Sequence, residues 1–99
     1  MDEATSVEAD YSNISMNAYP NPFSTQTTIE FTLHQPSSQT TIEVYSYTGA
    51  LVGVLYSGQA EEGVTYKVAF DAANHAAGIY FYRITTDEGY YVNKLILTD

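Results

Sequence analysis

The stretch GIYFYRI, residues 78–84, decides the fold of this 99-residue chain. Successive side chains of an extended chain point to opposite faces, and here both faces are apolar or aromatic. Such a strand is typical of the middle of a sheet, where both of its faces are covered and it cannot be a free edge. The expected faces are Ile79 and Phe81 on one side, and Tyr80, Tyr82 and Ile84 on the other.

A hairpin is predicted directly after this central strand. Gly78 opens the strand, and the sequence DEG at residues 87–89 closes it. Residues 90–97 are expected to fold back against this strand as the last, antiparallel strand.

Five more short strands are predicted from alternating apolar and polar residues. Their ranges are residues 13–18, 27–33, 40–47, 50–56 and 64–70. Residues 71–77 are predicted to be a loop or a single helical turn. Seven strands with a turn signal about every eight to twelve residues indicate an all-β fold. We therefore predict a seven-stranded antiparallel β-sandwich, immunoglobulin-like, over residues 13–99.

The same alternation predicts which side chains enter the core, and Phe31, Val44, Val68, Tyr80 and Tyr82 are all expected to be largely buried. Gly49 is expected at positive φ in a turn, and Gly53 is expected to mark either a bulge or a close approach of the backbone. The other predicted inward residues are Ile14, Met16, Ala18, Ile29, Leu33, Ile42, Val64, Tyr66 and Phe70.

The segment YPNPF brings two prolines one residue apart. Proline fixes φ and removes a backbone donor, so this segment is predicted to be a rigid corner or a sheet edge. Tyr19 and Phe23 flank Pro20, Asn21 and Pro22, and both rings are expected to plug one end of the core.

Charge excludes several classes of partner. Lysine and arginine total 3 against 12 acidic residues, giving a net charge of −9. Such a charge repels phosphate backbones and anionic lipid, so no nucleic-acid or membrane-surface binding is expected. No apolar run approaches the ~18 residues of a membrane span, and with no cysteine the chain has no disulfide and no thiolate.

No catalytic residue, metal site or cofactor site is predicted. His34 and His75 lie beside loops and are interpreted as solvated, and the paired carboxylates fall in termini or turns. The spacing of a calcium loop is missing. Ten tyrosines leave one alternative open, in which exposed rings form a sugar-stacking platform of a carbohydrate-binding or structural accessory module.

Residues 1–12 (MDEATSVEADYS) are acidic, small and without period. They are interpreted either as a disordered terminus or as a linker to an upstream domain. No charged-then-apolar signal peptide opens the chain.

Five blocks of sequence, in order, resemble the C-terminal sorting domain of type IX secretion cargo (the Por secretion system, type A) found in Bacteroidota. The resemblance covers residues 18–99 and begins at YPNPF. The remaining blocks are residues 42–49, 63–71, 76–84 and 94–97. The motif residues that the resemblance marks are Tyr19, Pro20, Asn21, Pro22, Phe23, Gly49, Gly78, Tyr80 and Lys94.

The resemblance implies a non-catalytic export address on a larger cargo protein, expected to be a monomer without cofactors. Its implied partners are the outer-membrane secretion machinery, a gingipain-like sortase that removes the domain, and the upstream cargo domain. Its implied location is the periplasm in transit, then the cell surface or the medium. Lys94, Leu95 and Leu97 are predicted as docking residues. The chain ends in Thr98-Asp99, whereas many members end in a basic residue.

Overall fold

A computed structural model describes residues 13–99 and shows seven β-strands. Their bounds are β1 (Ile14–Tyr19), β2 (Gln26–Leu33), β3 (Ser37–Ser46), β4 (Leu51–Ala60), β5 (Thr65–Asp71), β6 (Gly78–Thr86) and β7 (Gly89–Leu97). The tether predicted for residues 1–12 lies outside the described residues. None of the described segments is a helix long and apolar enough to cross a membrane.

The strands form two sheets in which every pair is antiparallel. The three-stranded sheet has the order β1-β2-β5, and the four-stranded sheet has the order β4-β3-β6-β7. The core lies between the two sheets, as in an immunoglobulin-like sandwich. The predicted fold class is confirmed.

The central strand is confirmed, but its two faces differ. β6 lies between β3 and β7, and it pairs with β7 from Gly78↔Leu97 to Thr86↔Gly89, as the predicted hairpin requires. Tyr80, Tyr82 and Ile84 are buried in the core, whereas Ile79 is 37% exposed and Phe81 is only half-buried. The prediction of two covered faces is wrong, because a two-layer sandwich leaves the outer face of each sheet to solvent.

Most of the predicted core is confirmed. Several positions differ from the prediction. Val68 is only half-buried, as are Met16, Ala18 and Tyr66. Val64 precedes β5 and is 40% exposed, and Tyr19 is also 40% exposed. The hydrophobic side chains that are buried are Ile14, Phe23, Ile29, Phe31, Leu33, Ile42, Val44, Ala60, Phe70, Ala72, Tyr80, Tyr82, Ile84, Tyr91, Leu95 and Leu97.

The start of β3 differs from the prediction because long-range hydrogen bonds act on its polar residues. β3 begins at Ser37, before its predicted start at residue 40. Ser38 donates from its amide and hydroxyl to Asp87 Oδ2 at 2.7 and 2.9 Å. The amide of Asp87 in turn donates to Ser37 Oγ at 3.1 Å. The β6–β7 turn therefore holds this polar segment in the sheet.

The remaining local predictions concern turns and bulges. β4 continues to Ala60, well beyond the predicted end, and residues 72–77 form a loop rather than a helical turn. The register between β3 and β4 shifts next to the Val44↔Gly53 pair, as expected for a bulge there. Gly49 has φ +94°, a conformation that favours glycine.

Candidate functional site: one end of the sandwich

The segment at residues 21–23 lies along the outer edge of β7. Asn21 Nδ2 donates to the carbonyl oxygen of Lys94 at 2.9 Å, and the amide of Ile96 donates to Asn21 Oδ1 at 2.9 Å. One side-chain amide thus satisfies a donor and an acceptor of an edge strand, as a neighbouring strand would. The proline on either side of Asn21 has no amide of its own to contribute.

Phe23 extends this contact through its backbone. Its amide donates to the Ile96 carbonyl at 2.9 Å, and its carbonyl accepts from the Thr98 amide at 2.8 Å. Phe23 and Leu97 form a parallel bridge. We call residues 21–23 together with residues 94–98 the edge clamp. It covers half of an edge that would otherwise be open to pairing with another chain.

An aromatic cluster packs beneath the edge clamp. Phe23 meets Phe70 edge-on at 6.1 Å between ring centroids, and Phe70 lies 6.2 Å from Tyr80. The Tyr80 hydroxyl donates to the Ala76 carbonyl at 2.6 Å, which fixes the loop before β6. His75 is exposed, as predicted, but its ring stacks on Phe70 at 5.7 Å.

The predicted motif residues therefore gather at one end of the sandwich. The turn that holds Gly49 adjoins the start of β6, because Ser46 pairs with Tyr80. Gly78 pairs with Leu97 at the end of β7. Tyr19 is the exception in its packing, since its ring is not in the core and its hydroxyl donates to Glu30 at 2.7 Å.

The three predicted docking residues have different surroundings. Lys94 is exposed on the outer face of β7, whereas Leu95 is 0% exposed and Leu97 is 4% exposed. Burial argues against a docking role for either leucine in the folded domain, because their side chains belong to the core. Lys94 alone has the exposure that docking requires.

A second polar cluster lies on the outer face of the four-stranded sheet. Arg83 Nη2 donates to Glu43 Oε1 at 3.1 Å and to the Tyr45 hydroxyl at 2.7 Å. The Tyr45 hydroxyl donates to the same carboxylate oxygen at 2.7 Å. This hydrogen bond lowers the pKa of Glu43, outweighing the effect of desolvation, and Arg83 lowers that pKa further. Glu43 raises the pKa of Arg83 in return.

The sequence did not predict the edge clamp or the cluster of Glu43, Tyr45 and Arg83, for different reasons. The Asn21 contacts join residues 73 and 75 positions apart, and no local pattern predicts them. Glu43 and Arg83 have opposite charges and lie at outward positions of two predicted strands. Once those strands are known to pair, the two charges indicate an ion pair across them.

Within residues 13–99, no group of three or more His, Asp or Glu side chains is placed to hold a metal ion. His34 is exposed, with its Nε2 3.3 Å from Ser15 Oγ.

Comparison with known proteins agrees with the fold and the motifs. The family described as the secretion system C-terminal sorting domain matches residues 17–98. The crystal structure of dimeric latent PorU from Porphyromonas gingivalis is similar, with a TM-score of 0.67 and 21% identity over 86% of this chain and 9% of that chain. At this identity the likeness shows the fold alone. No curated protein matches the sequence.

The family match spans β2 to β7 and the second half of β1, and it includes both halves of the edge clamp. The chain therefore belongs to the family of type IX secretion system C-terminal sorting domains.

Proposed function

We propose that this domain is a non-catalytic signal that directs a larger upstream cargo protein through the type IX secretion system to the cell surface. Membership of the sorting-domain family is the observation that carries the proposal. The gathering of the family's motif residues at one end of the sandwich supports it, because a partner can contact that end as one surface.

A sugar-binding module has less support. Stacking on sugars needs exposed rings side by side. The two most exposed tyrosines among residues 13–99, Tyr47 and Tyr90, lie at opposite ends of the four-stranded sheet. Tyr47 follows the end of β3, and Tyr90 pairs with Thr85 near the β6–β7 turn. Tyr66, Tyr80, Tyr82 and Tyr91 are buried or half-buried.

A gingipain-like sortase is proposed to remove the domain by cleaving within or just before residues 1–12. The segment has small residues such as Ala4, Ser6 and Ala9 and little apolar content. Mass spectrometry of the exported parent protein is expected to find its mature C-terminus there. A C-terminus that maps inside residues 29–97 contradicts this site.

Export of a reporter protein tests the proposal as a whole. The reporter is expected at the surface of a type IX-secreting bacterium when the full chain is fused to its C-terminus, and in the periplasm when the chain is removed. Equal surface amounts with and without the chain contradict the sorting function.

Lys94 is the proposed docking side chain, and it has a matched control in the same protein. Lys94→Ala and Lys67→Ala each remove one exposed lysine, from β7 and β5 respectively. Each is expected to change the free energy of unfolding by less than about 0.5 kcal/mol. The fused reporter is expected to accumulate in the periplasm with Lys94→Ala only. If both variants are exported equally, recognition lies elsewhere.

A further inference from the structure

The outer face of the four-stranded sheet is apolar, and we call its outward side chains the apolar face. Among residues 13–99, eight large hydrophobic side chains are exposed, and six of them lie on or beside this face. The six are Tyr47, Leu51, Val54, Ile79, Tyr90 and Val92. Exposed apolar patches of this kind mark interaction surfaces in soluble proteins.

The other sheet of the same molecule gives an internal comparison. The outward positions of the three-stranded sheet are mostly polar, as expected of a face that meets only water. They include Ser15, Asn17, Thr28, Glu30, Thr32, Thr65 and Lys67. The apolar face is therefore a property of one sheet and not of the composition as a whole.

Charge also distinguishes the apolar face. The sequence has 3 cationic and 12 acidic residues, and two of the cations, Arg83 and Lys94, occupy outward positions of this sheet. Glu43 also lies at an outward position of this sheet, and its Oε1 is 3.1 Å from Arg83 Nη2. Lys94 remains as an exposed charge. This face is locally cationic in a strongly acidic protein.

The cations flank the apolar centre of the face. Lys94 lies opposite Phe81 across the β6–β7 pair, and Arg83 lies opposite Val92. The Arg83 guanidinium sits over the rings of Tyr45 and Tyr90 at 5.0 and 5.6 Å. Its side chain is 39% exposed against 22% for Glu43, so a second carboxylate can approach it from solvent.

We propose that the apolar face docks a protein segment that combines apolar side chains with carboxylates. The apolar side chains would cover Phe81, Val92 and Ile79, and the carboxylates would meet Lys94 and Arg83. The inference deepens the proposed sorting function, on which it rests for the identity of the partner.

Electrostatics favour this occupant over a second copy of the chain. Charges separated by more than about 8 Å are largely screened at physiological salt, so those at the contact decide the preference. Two copies joined through this face would place Lys94 and Arg83 of each chain near those of the other. A carboxylate-bearing partner meets both cations favourably.

Two synthetic peptides provide the test, with the same Leu-Phe-Val centre and either two aspartates or two lysines as flanks. Each is titrated into the full 99-residue chain at about 0.15 M salt, and binding is followed by NMR chemical shifts. The acidic peptide is expected to shift the signals of Ile79, Phe81 and Val92 and to bind about three- to five-fold more tightly than the basic one. Lys94→Glu is expected to remove or reverse that preference, and Lys67→Glu to leave it unchanged.

Several results would overturn the proposal: equal binding of the two peptides, preference for the basic one, or shifts confined to the three-stranded sheet. The proposal also fails if the same signals shift with protein concentration alone, because that indicates binding of a second copy. It fails as well if an added oligosaccharide shifts these signals and neither peptide does. Export of a Lys94→Glu fusion is measured separately. If the peptide binds as expected but the Lys94→Glu fusion is exported normally, the link between the apolar face and sorting is refuted. If the peptide does not bind but export still depends on the domain, the docking face is refuted and the sorting function is not.

Discussion

At the scale of single residues, neighbouring positions on β6 have opposite surroundings. Tyr80 is 7% exposed and hydrogen-bonded to Ala76, whereas Phe81 is half-buried on the apolar face. We expect Tyr80→Ala to lower the free energy of unfolding by about 3–5 kcal/mol, because it leaves a cavity and removes a hydrogen bond. Phe81→Ala is expected to cost only about 1 kcal/mol, because it gives up partial burial.

Urea unfolding of the two variants measures this difference. The wild-type chain sets the reference, and a loss of about 3 kcal/mol is a large share of the roughly 5–15 kcal/mol by which native proteins are stable. Equal losses at the two positions would contradict the one-sided burial of β6.

Asn21 provides a second prediction at this scale. Asn21→Ala removes both side-chain hydrogen bonds to β7 and is expected to cost about 1 kcal/mol, since water can reach the freed edge. Hydrogen exchange at the Ile96 amide is expected to become faster. Asn74→Ala, in an exposed loop, is the matched control. Unchanged exchange at Ile96 in Asn21→Ala would mean that the clamp does not protect the edge.

At the scale of elements, local patterns predicted the hairpin well. Residues 78–84 and 90–97 are rich in apolar and aromatic side chains on either side of a short polar turn, and their pairing involves near neighbours in the chain. The start of β3 was not predicted, because the bonds from Ser38 to Asp87 span 49 residues and depend on the finished fold. The same reason applies to the edge clamp, where YPNPF predicted an edge but not which strand it covers.

Asp87, in the β6–β7 turn, is expected to make the stability of the domain depend on pH. The amide and hydroxyl of Ser38 lower the pKa of Asp87. A carboxyl whose pKa is lower in the folded state contributes stability above its unfolded pKa of about 3.9, and that contribution is lost as pH falls through the folded pKa. Asp87→Asn keeps an acceptor oxygen but does not titrate.

We therefore expect the stability difference between wild type and Asp87→Asn to be present at pH 5–7 and to shrink below about pH 4. Urea unfolding across this range measures it. Glu88→Gln, which removes a carboxylate from the same turn, is the control. A difference that stays constant down to pH 2 would show that the Ser38 contacts do not depend on the charge of Asp87.

At the scale of the whole molecule, composition and alternation predicted a two-layer sandwich, and the structure confirms it. They did not predict that one outer face stays apolar. The sequence pattern of a strand is the same whether or not a third layer covers its outward apolar residues. Ile79 is such a residue, and it is 37% exposed. The family was indicated by the order of the motifs, whose residues gather at one end of the sandwich.

The proposed sorting function implies that the export machinery recognises the folded domain and not its linear motifs alone. Ile29 is 0% exposed in β2 and lies outside the five motif blocks. We expect Ile29→Asp to unfold the sandwich, because it buries an unpaired charge, while every motif residue remains. Ser15→Asp adds the same charge at an exposed position of β1 and is the control.

The measurement is the fraction of a fused reporter that reaches the cell surface, with the level of intact fusion in the cell measured alongside it. We expect the wild type and Ser15→Asp to be exported equally and Ile29→Asp to remain in the periplasm. Surface delivery of intact Ile29→Asp at the wild-type level would contradict the claim and show that the linear motifs suffice.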